Sequence, residues 1–131
     1  MKNYFLLILI IGFVTSCNKN DEISNLSDLE GRWKLSEVLA DPGNGSGTFQ
    51  SVTSNKTLEF DNNGNVTSNG SICDMSTGTN LNSSGTYSLT NRTINSNSCP
   101  NNTIQFELNN GSLILTYPCI EPCKAKFISL P

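Results

Sequence analysis

From residue 31 onward the chain repeatedly alternates apolar and polar side chains with period two, the pattern of strands that turn one face to a core and the other to water. Gly31–Leu39 places Trp33, Leu35 and Leu39 on one face and Arg32, Lys34 and Ser36 on the other, with Glu37 interrupting the inward row. Thr57-Leu58-Glu59-Phe60 repeats the alternation. Asp61-Asn62-Asn63-Gly64-Asn65 then supplies residues that tolerate turn geometry, and Val66-Thr67 opens a return strand. Further strands are predicted at 85–89, 93–95, 103–108, 112–117 and 124–130. Asn110-Gly111 joins two of them and is the strongest short hairpin signal in the chain, because both residues accept the left-handed conformation of a tight turn.

Helical periodicity is almost absent. Seven or eight short antiparallel strands predict an all-β fold, a small antiparallel meander barrel of about eight strands, whose closure removes exposed sheet edges. Asp28-Leu29-Glu30 is expected to form one turn leading into the first strand and capping the open end of such a barrel. The inward candidates, facing either a packed core or a ligand, are Trp33, Leu58, Phe60, Tyr87, Leu89, Ile104, Phe106, Leu113, Leu115 and Tyr117. Asp41–Thr48 is rich in glycine but lacks the Lys-Ser/Thr of a phosphate loop and no helix pattern follows, so it is expected to be a mobile loop at the barrel mouth.

The first 27 residues have a different character. Lys2 precedes the apolar run Phe5–Val14, followed by the small residues Thr15-Ser16 and then Cys17. A run of about 10 residues is too short to cross a bilayer as a helix and suits a secretion signal. Val14-Thr15-Ser16-Cys17 resembles the lipobox of bacterial lipoproteins, which implies cleavage before Cys17 and acylation of its thiol, with two or three chains such as palmitate making a durable anchor. The expected organisation is a signal peptide at 1–16, a flexible tether at 17–27 and one folded domain at 28–131. Lys19-Asn20-Asp21-Glu22 resembles the charged signal that sends some lipoproteins of the Bacteroidetes to the cell surface. That resemblance implies the outer membrane, with its outer face favoured over the periplasmic one.

Five cysteines are present. With Cys17 lipidated, Cys73, Cys99, Cys119 and Cys123 form an even set in an exported chain, which reads as two disulfides. Four cysteines allow three pairings; Cys73 with Cys99 and Cys119 with Cys123 is the favoured one. Zinc is the competing chemistry, disfavoured because no Cys-x-x-Cys knuckle and no histidine occur. No metal and no cofactor are expected. The net charge is −3 and no basic stripe appears, so nucleic acid is not an expected partner; a monomer is. Catalysis has little to draw on: histidine is absent, the cysteines are committed, and Glu37, Glu59, Asp61, Asp74, Glu107 and Glu121 form no motif.

Leu29-Glu30-Gly31-Arg32-Trp33-Lys34-Leu35 resembles the Gly-x-Trp segment that opens the first strand of lipocalins. The chain is also similar to small lipocalin-like lipoproteins of the Bacteroidetes through the glycine-rich loop at 43–47, Leu-x-Phe at 58–60, Gly-Thr-Tyr at 85–87 and Cys-Ile-Glu-x-Cys at 119–123. The Thr-Asp-Tyr motif and the late arginine that packs on the tryptophan in larger lipocalins are missing here, so Lys124 or Lys126 is expected to stack on Trp33 instead. The resemblance implies a tethered, non-catalytic protein binding a small apolar or amphipathic ligand inside the barrel. The alternative is a filled barrel that binds protein or glycan through its loops, notably residues 73–82 and the loop around Asn44.

Overall fold

The computed structural model describes residues 28–131; the expected signal peptide, the lipid-bearing Cys17 and the tether at 17–27 lie outside the described residues. The described chain forms β1 (Gly31–Ala40), β2 (Gln50–Ser51), β3 (Thr57–Phe60), β4 (Asn65–Ser68), β5 (Ser83–Ser88), β6 (Thr93–Ser96), β7 (Thr103–Asn109), β8 (Ser112–Tyr117) and β9 (Cys123–Ser129). From β3 to β9 each strand pairs antiparallel with the next, and β9 returns to pair with β1, closing the sheet. β2 lies opposite Glu37 and Val38 while β3 lies opposite Gly31–Lys34, so these two segments share one place beside β1. The result is the closed, eight-stranded antiparallel barrel that the alternation predicts.

The turns form where the sequence signals them. Asn110 and Gly111 both adopt positive φ, 50° and 76°, so the right-handed twist of β7 and β8 continues through the tight turn between Asn109 and Ser112. In the β3–β4 connection, the Asp61 carboxylate accepts the backbone N–H groups of Asn63 and Asn65 at 2.9 and 2.8 Å, a local alternative to sheet hydrogen bonding.

One strand departs from the expected parity. Against β9, β1 slips register between Leu35 and Glu37, a β-bulge that flips the alternation for the rest of the strand. Trp33 and Leu35 face inward, but beyond the bulge it is Val38 that packs on the core. Leu39, expected inward, stays half-buried outside it. The interruption at Glu37 marks this irregularity: the bulge turns Glu37 outward, where its carboxylate meets Lys126 Nζ at 2.7 Å.

The inward rows meet in one cluster running the length of the barrel. Leu58, Phe60, Val66, Ile94, Ile104, Leu113, Leu115, Ala125 and Phe127 are all essentially inaccessible to solvent. Phe60 contacts Tyr87 edge to face at a 5.3 Å centroid separation, an arrangement that aromatic rings prefer. At the end where the chain enters, Leu29 is fully buried and Trp33 Nε1 donates to its carbonyl at 2.9 Å, so the turn before β1 caps this end as expected. The expected lysine stack on Trp33 does not form. Ala125 and Phe127 take the inward parity of β9, which sends Lys124 and Lys126 outward, and Lys126 sits 4.3 Å above the ring of Phe49 instead.

Candidate functional site at the loop-bearing end of the barrel

Strand direction sorts the connections into two groups. The entry end carries Leu29 and the short turns at 61–64, 89–92 and 110–111. The opposite, distal end carries the longer connections at 41–56, 69–82, 97–102 and 118–122, and both cross-links, Cys73–Cys99 and Cys119–Cys123, in the favoured pairing.

The polar chemistry of the distal end is already present in the inward rows. Lys56 shares parity with Leu58 and Phe60, Ser68 with Val66, Ser83 with Tyr87, and Ser96 with Ile94. Each of these polar residues stands at the distal end of its row, and each is buried. Three of them hold a loop. The β4–β5 connection bends into the barrel mouth, where Gly70 N donates to Ser68 Oγ at 3.0 Å, Ser83 Oγ donates to Gly70 O at 2.6 Å, and Ile72 N donates to Ser83 Oγ at 2.9 Å. Ile72, fully buried, thereby becomes the distal plug of the core, with Met75 packed beside it.

Lys56 completes this closure. Its side chain is entirely buried, and Nζ donates to the carbonyls of Asp74 and Ser76, both at 2.9 Å, while Ser54 Oγ donates to Thr77 O at 2.8 Å. Burial pushes the Lys56 ammonium down from its ordinary 10.5 to about 8, partly opposed by the negative charge of Asp74. Burial would raise Asp74, but hydrogen bonds from Ser76 and Ser71 and the charge of Lys56 together hold it below the usual carboxylate range. Cys73–Cys99 ties the same loop to the β6–β7 connection. Alternation could have flagged Lys56 as a charge on an inward row; Ile72, in a Gly/Ser-rich stretch, carries no periodic signal.

The ten inward candidates come together as a packed interior. Trp33, Leu58, Phe60, Ile104, Phe106, Leu113, Leu115 and Tyr117 are buried in the core cluster, and Tyr87 and Leu89 are half-buried against it. Tyr117, at the distal end of β8, has a buried hydroxyl without a hydrogen-bond partner among the described residues; burial, and then the charge of Asp74, push its pKa upward. On the outer wall, a hollow across β4, β5 and β6 is lined by outward residues including Thr67, Ser84, Thr86 and Asn95, a hydroxyl-and-amide surface that also includes Asp61.

The glycine-rich loop, expected to be mobile, is tied to Asp41. The carboxylate accepts from Gly47 N at 2.7 Å, Gly43 N at 2.7 Å and Gly45 N at 3.0 Å, and these bonds hold it below the usual carboxylate range. Amide groups turned onto an internal carboxylate are not free to cradle a phosphate. The remaining acids are dispersed: Glu37 on Lys126, Asp61 in its turn, Glu59, Glu107 and Glu121 exposed. No metal-binding group of His, Cys, Asp or Glu is formed among the described residues.

Comparison with curated proteins and with solved structures returned no match. The family model of the lipocalin-like domain matches residues 29–115, from the buried plug Leu29 into β8. That match spans more than half of the chain and coincides with the closed antiparallel meander seen here, so the protein belongs to the lipocalin-like domain family.

Proposed function

We propose that the protein is a membrane-tethered, non-catalytic binding module in which a filled barrel serves as scaffold and the distal loops engage a macromolecular partner. One observation carries this reading: the barrel is stopped at both ends, by Leu29 and by Ile72, each fully buried, and the inward rows between them pack on one another. An interior filled by side chains is a usual outcome for an eight-stranded barrel. Loops held on a rigid scaffold are where recognition residues concentrate. The anchor is Cys17, carrying acyl chains in the outer membrane, most simply on its outer face. A tether entering at Leu29 directs the entry end toward the membrane and the loops away from it. The absence of histidine from the chain supports a non-catalytic role.

A second reading, a small amphipathic ligand within the barrel, is favoured by the unpartnered Tyr117 hydroxyl. Native mass spectrometry of the protein purified from its own host, with titration of a fluorescent fatty acid, separates the two. The packed-barrel reading expects neither a co-purifying small molecule nor probe uptake, and stoichiometric occupancy would establish the second reading in its place. The anchor is tested separately: Cys17→Ala should shift the protein from the membrane to the soluble fraction, and continued membrane association would remove it from the scheme.

A further inference from the structure

Ile120 is the most exposed large apolar residue described, with a relative accessibility of 101%. It sits at the apex of the β8–β9 connection, flanked by Cys119 and Glu121, inside the small ring closed by the Cys119–Cys123 disulfide, with Pro118 and Pro122 on either side. This ring is braced from outside. Cys119 N donates to Tyr117 O at 2.8 Å, and Asp41 N donates to Pro122 O at 2.9 Å. The Glu121 carboxylate lies over Gly43, where an added Cβ would stand only 3.0 Å from it, and Gly43 itself has φ of 97°. Gly43 belongs to the loop that the Asp41 carboxylate ties through three amides. An apolar side chain is thus held out to solvent on covalently and sterically fixed backbone, so much of the ordering cost of binding has been met before a partner arrives.

Charge narrows the partner. The distal connections at 41–55, 69–82, 97–102 and 118–122 contain Asp41, Asp74 and Glu121 and no lysine or arginine; Asp41 is buried with its carboxylate turned onto loop amides, the adjoining Lys56 is buried, and half-buried Lys124 follows the ring on β9. Such a face is repelled by an anionic lipid surface and complements a cationic one. We propose that Ile120 is the anchor of a protein interface, inserting into an apolar pocket of a partner whose rim carries lysine or arginine facing Glu121. This rests on the reading that the distal loops are the binding surface. The segment lies beyond residue 115, where the family match ends.

The test places a photo-reactive residue in the full-length chain in its own host at position 120, at Asn80 in another distal loop, or at Asn62 in an entry-end turn. A discrete protein adduct is expected from position 120 and none from position 62. The partner so identified is then purified and titrated with the wild-type protein and exposed-site variants. Ile120→Ser should weaken binding by about 30-fold, the loss typical of an interface hot spot, while Ile120→Val changes it less than about threefold. Glu121→Lys should also weaken it, and more so at low salt. Adducts from position 80 but not from 120, or a partner whose affinity Ile120→Ser leaves unchanged, would overturn the anchor and leave the distal-face reading standing. Adducts from neither distal position, from all three alike, or with lipid alone would overturn both.

Discussion

The two ends of the barrel perform the same task by different physics. At the entry end, Leu29 and Trp33 close the core by apolar packing with one hydrogen bond, and the neighbouring connections are short, the tightest being the two-residue turn Asn110-Gly111. At the distal end, Ile72 is an equally buried plug, but it arrives on a long loop held by Ser68, Ser83, Lys56 and a disulfide. An apolar closure depends on volume and is almost indifferent to pH and redox conditions. A polar closure depends on every donor and acceptor being matched, since a buried group that loses its partner costs about 1–3 kcal/mol. The end that carries the long loops is therefore the one whose stability responds to its surroundings.

The sharpest way to break this contrast is at the entry end. Trp33→Ala removes the largest side chain of that closure together with the hydrogen bond to Leu29 O, and should lower stability by about 3–5 kcal/mol in chemical denaturation. The loss should be the same at pH 7 and pH 9.5. A cost below about 1 kcal/mol would mean that the entry end is not part of the core.

Next in size is the distal cross-link. Cys73 and Cys99 are 26 residues apart in sequence, and loop-closure entropy assigns their bond about 3.5 kcal/mol, against about 2 kcal/mol for the four-residue separation of Cys119 and Cys123. The double variant Cys73→Ala/Cys99→Ala should lose about the larger amount, with amide exchange accelerating in residues 69–82 and remaining slow in the entry half of β1. Equal acceleration at both ends would show that the two closures are one cooperative unit.

Lys56 gives the contrast its pH signature. Its ammonium is favoured less in the fold, at about 8, than in the unfolded chain, at 10.5. Below pH 8 both states hold the proton and the full cost of burying the charge is present. Between pH 8 and 10.5 the unfolded chain binds the proton that the fold releases, so stability rises with pH. Lys56→Met should cost about 1 kcal/mol at pH 7, where stranding the carbonyls of Asp74 and Ser76 is largely offset by relief of the buried charge. The stability gap between wild type and variant should then widen by about 3 kcal/mol as pH approaches 10.5. A gap that stays flat over that range would contradict a buried lysine clamp.

How far the sequence disclosed this molecule follows the same division. Strand positions other than that of the two-residue β2, the Asn110-Gly111 turn, the barrel and the ten inward side chains were legible because alternation with period two is a local property of each strand. Leu39 was misplaced because a β-bulge is decided by pairing with β9, ninety residues away, and one inserted residue reverses every later side chain. The lysine stack on Trp33 failed for a related reason: the parity of β9 is set by Ala125 and Phe127. The clamp at the mouth was only half visible. Lys56 and the serines lie on inward parity, but the loop that they hold has no period at all, and the burial of Ile72 depends on contacts between distant segments.

Tyr117 supplies the smallest effect and the most direct probe of what fills the distal half of the core. Its hydroxyl is buried without a partner among the described residues, so Tyr117→Phe keeps the ring and removes a group whose desolvation is not recovered. In a packed barrel this substitution should stabilise the domain by about 1 kcal/mol and leave the proposed interaction of the distal loops unchanged. If a polar atom of a small ligand were the proper acceptor of this hydroxyl, Phe at 117 would instead weaken ligand binding, and protein from the host would become less stable. Denaturation of the two proteins, prepared once from the host and once refolded from denaturant, therefore reads the sign of the effect with and without whatever the cell supplies. Stabilisation in both preparations identifies the distal core as protein alone, and a sign that reverses between them identifies a ligand-bearing one.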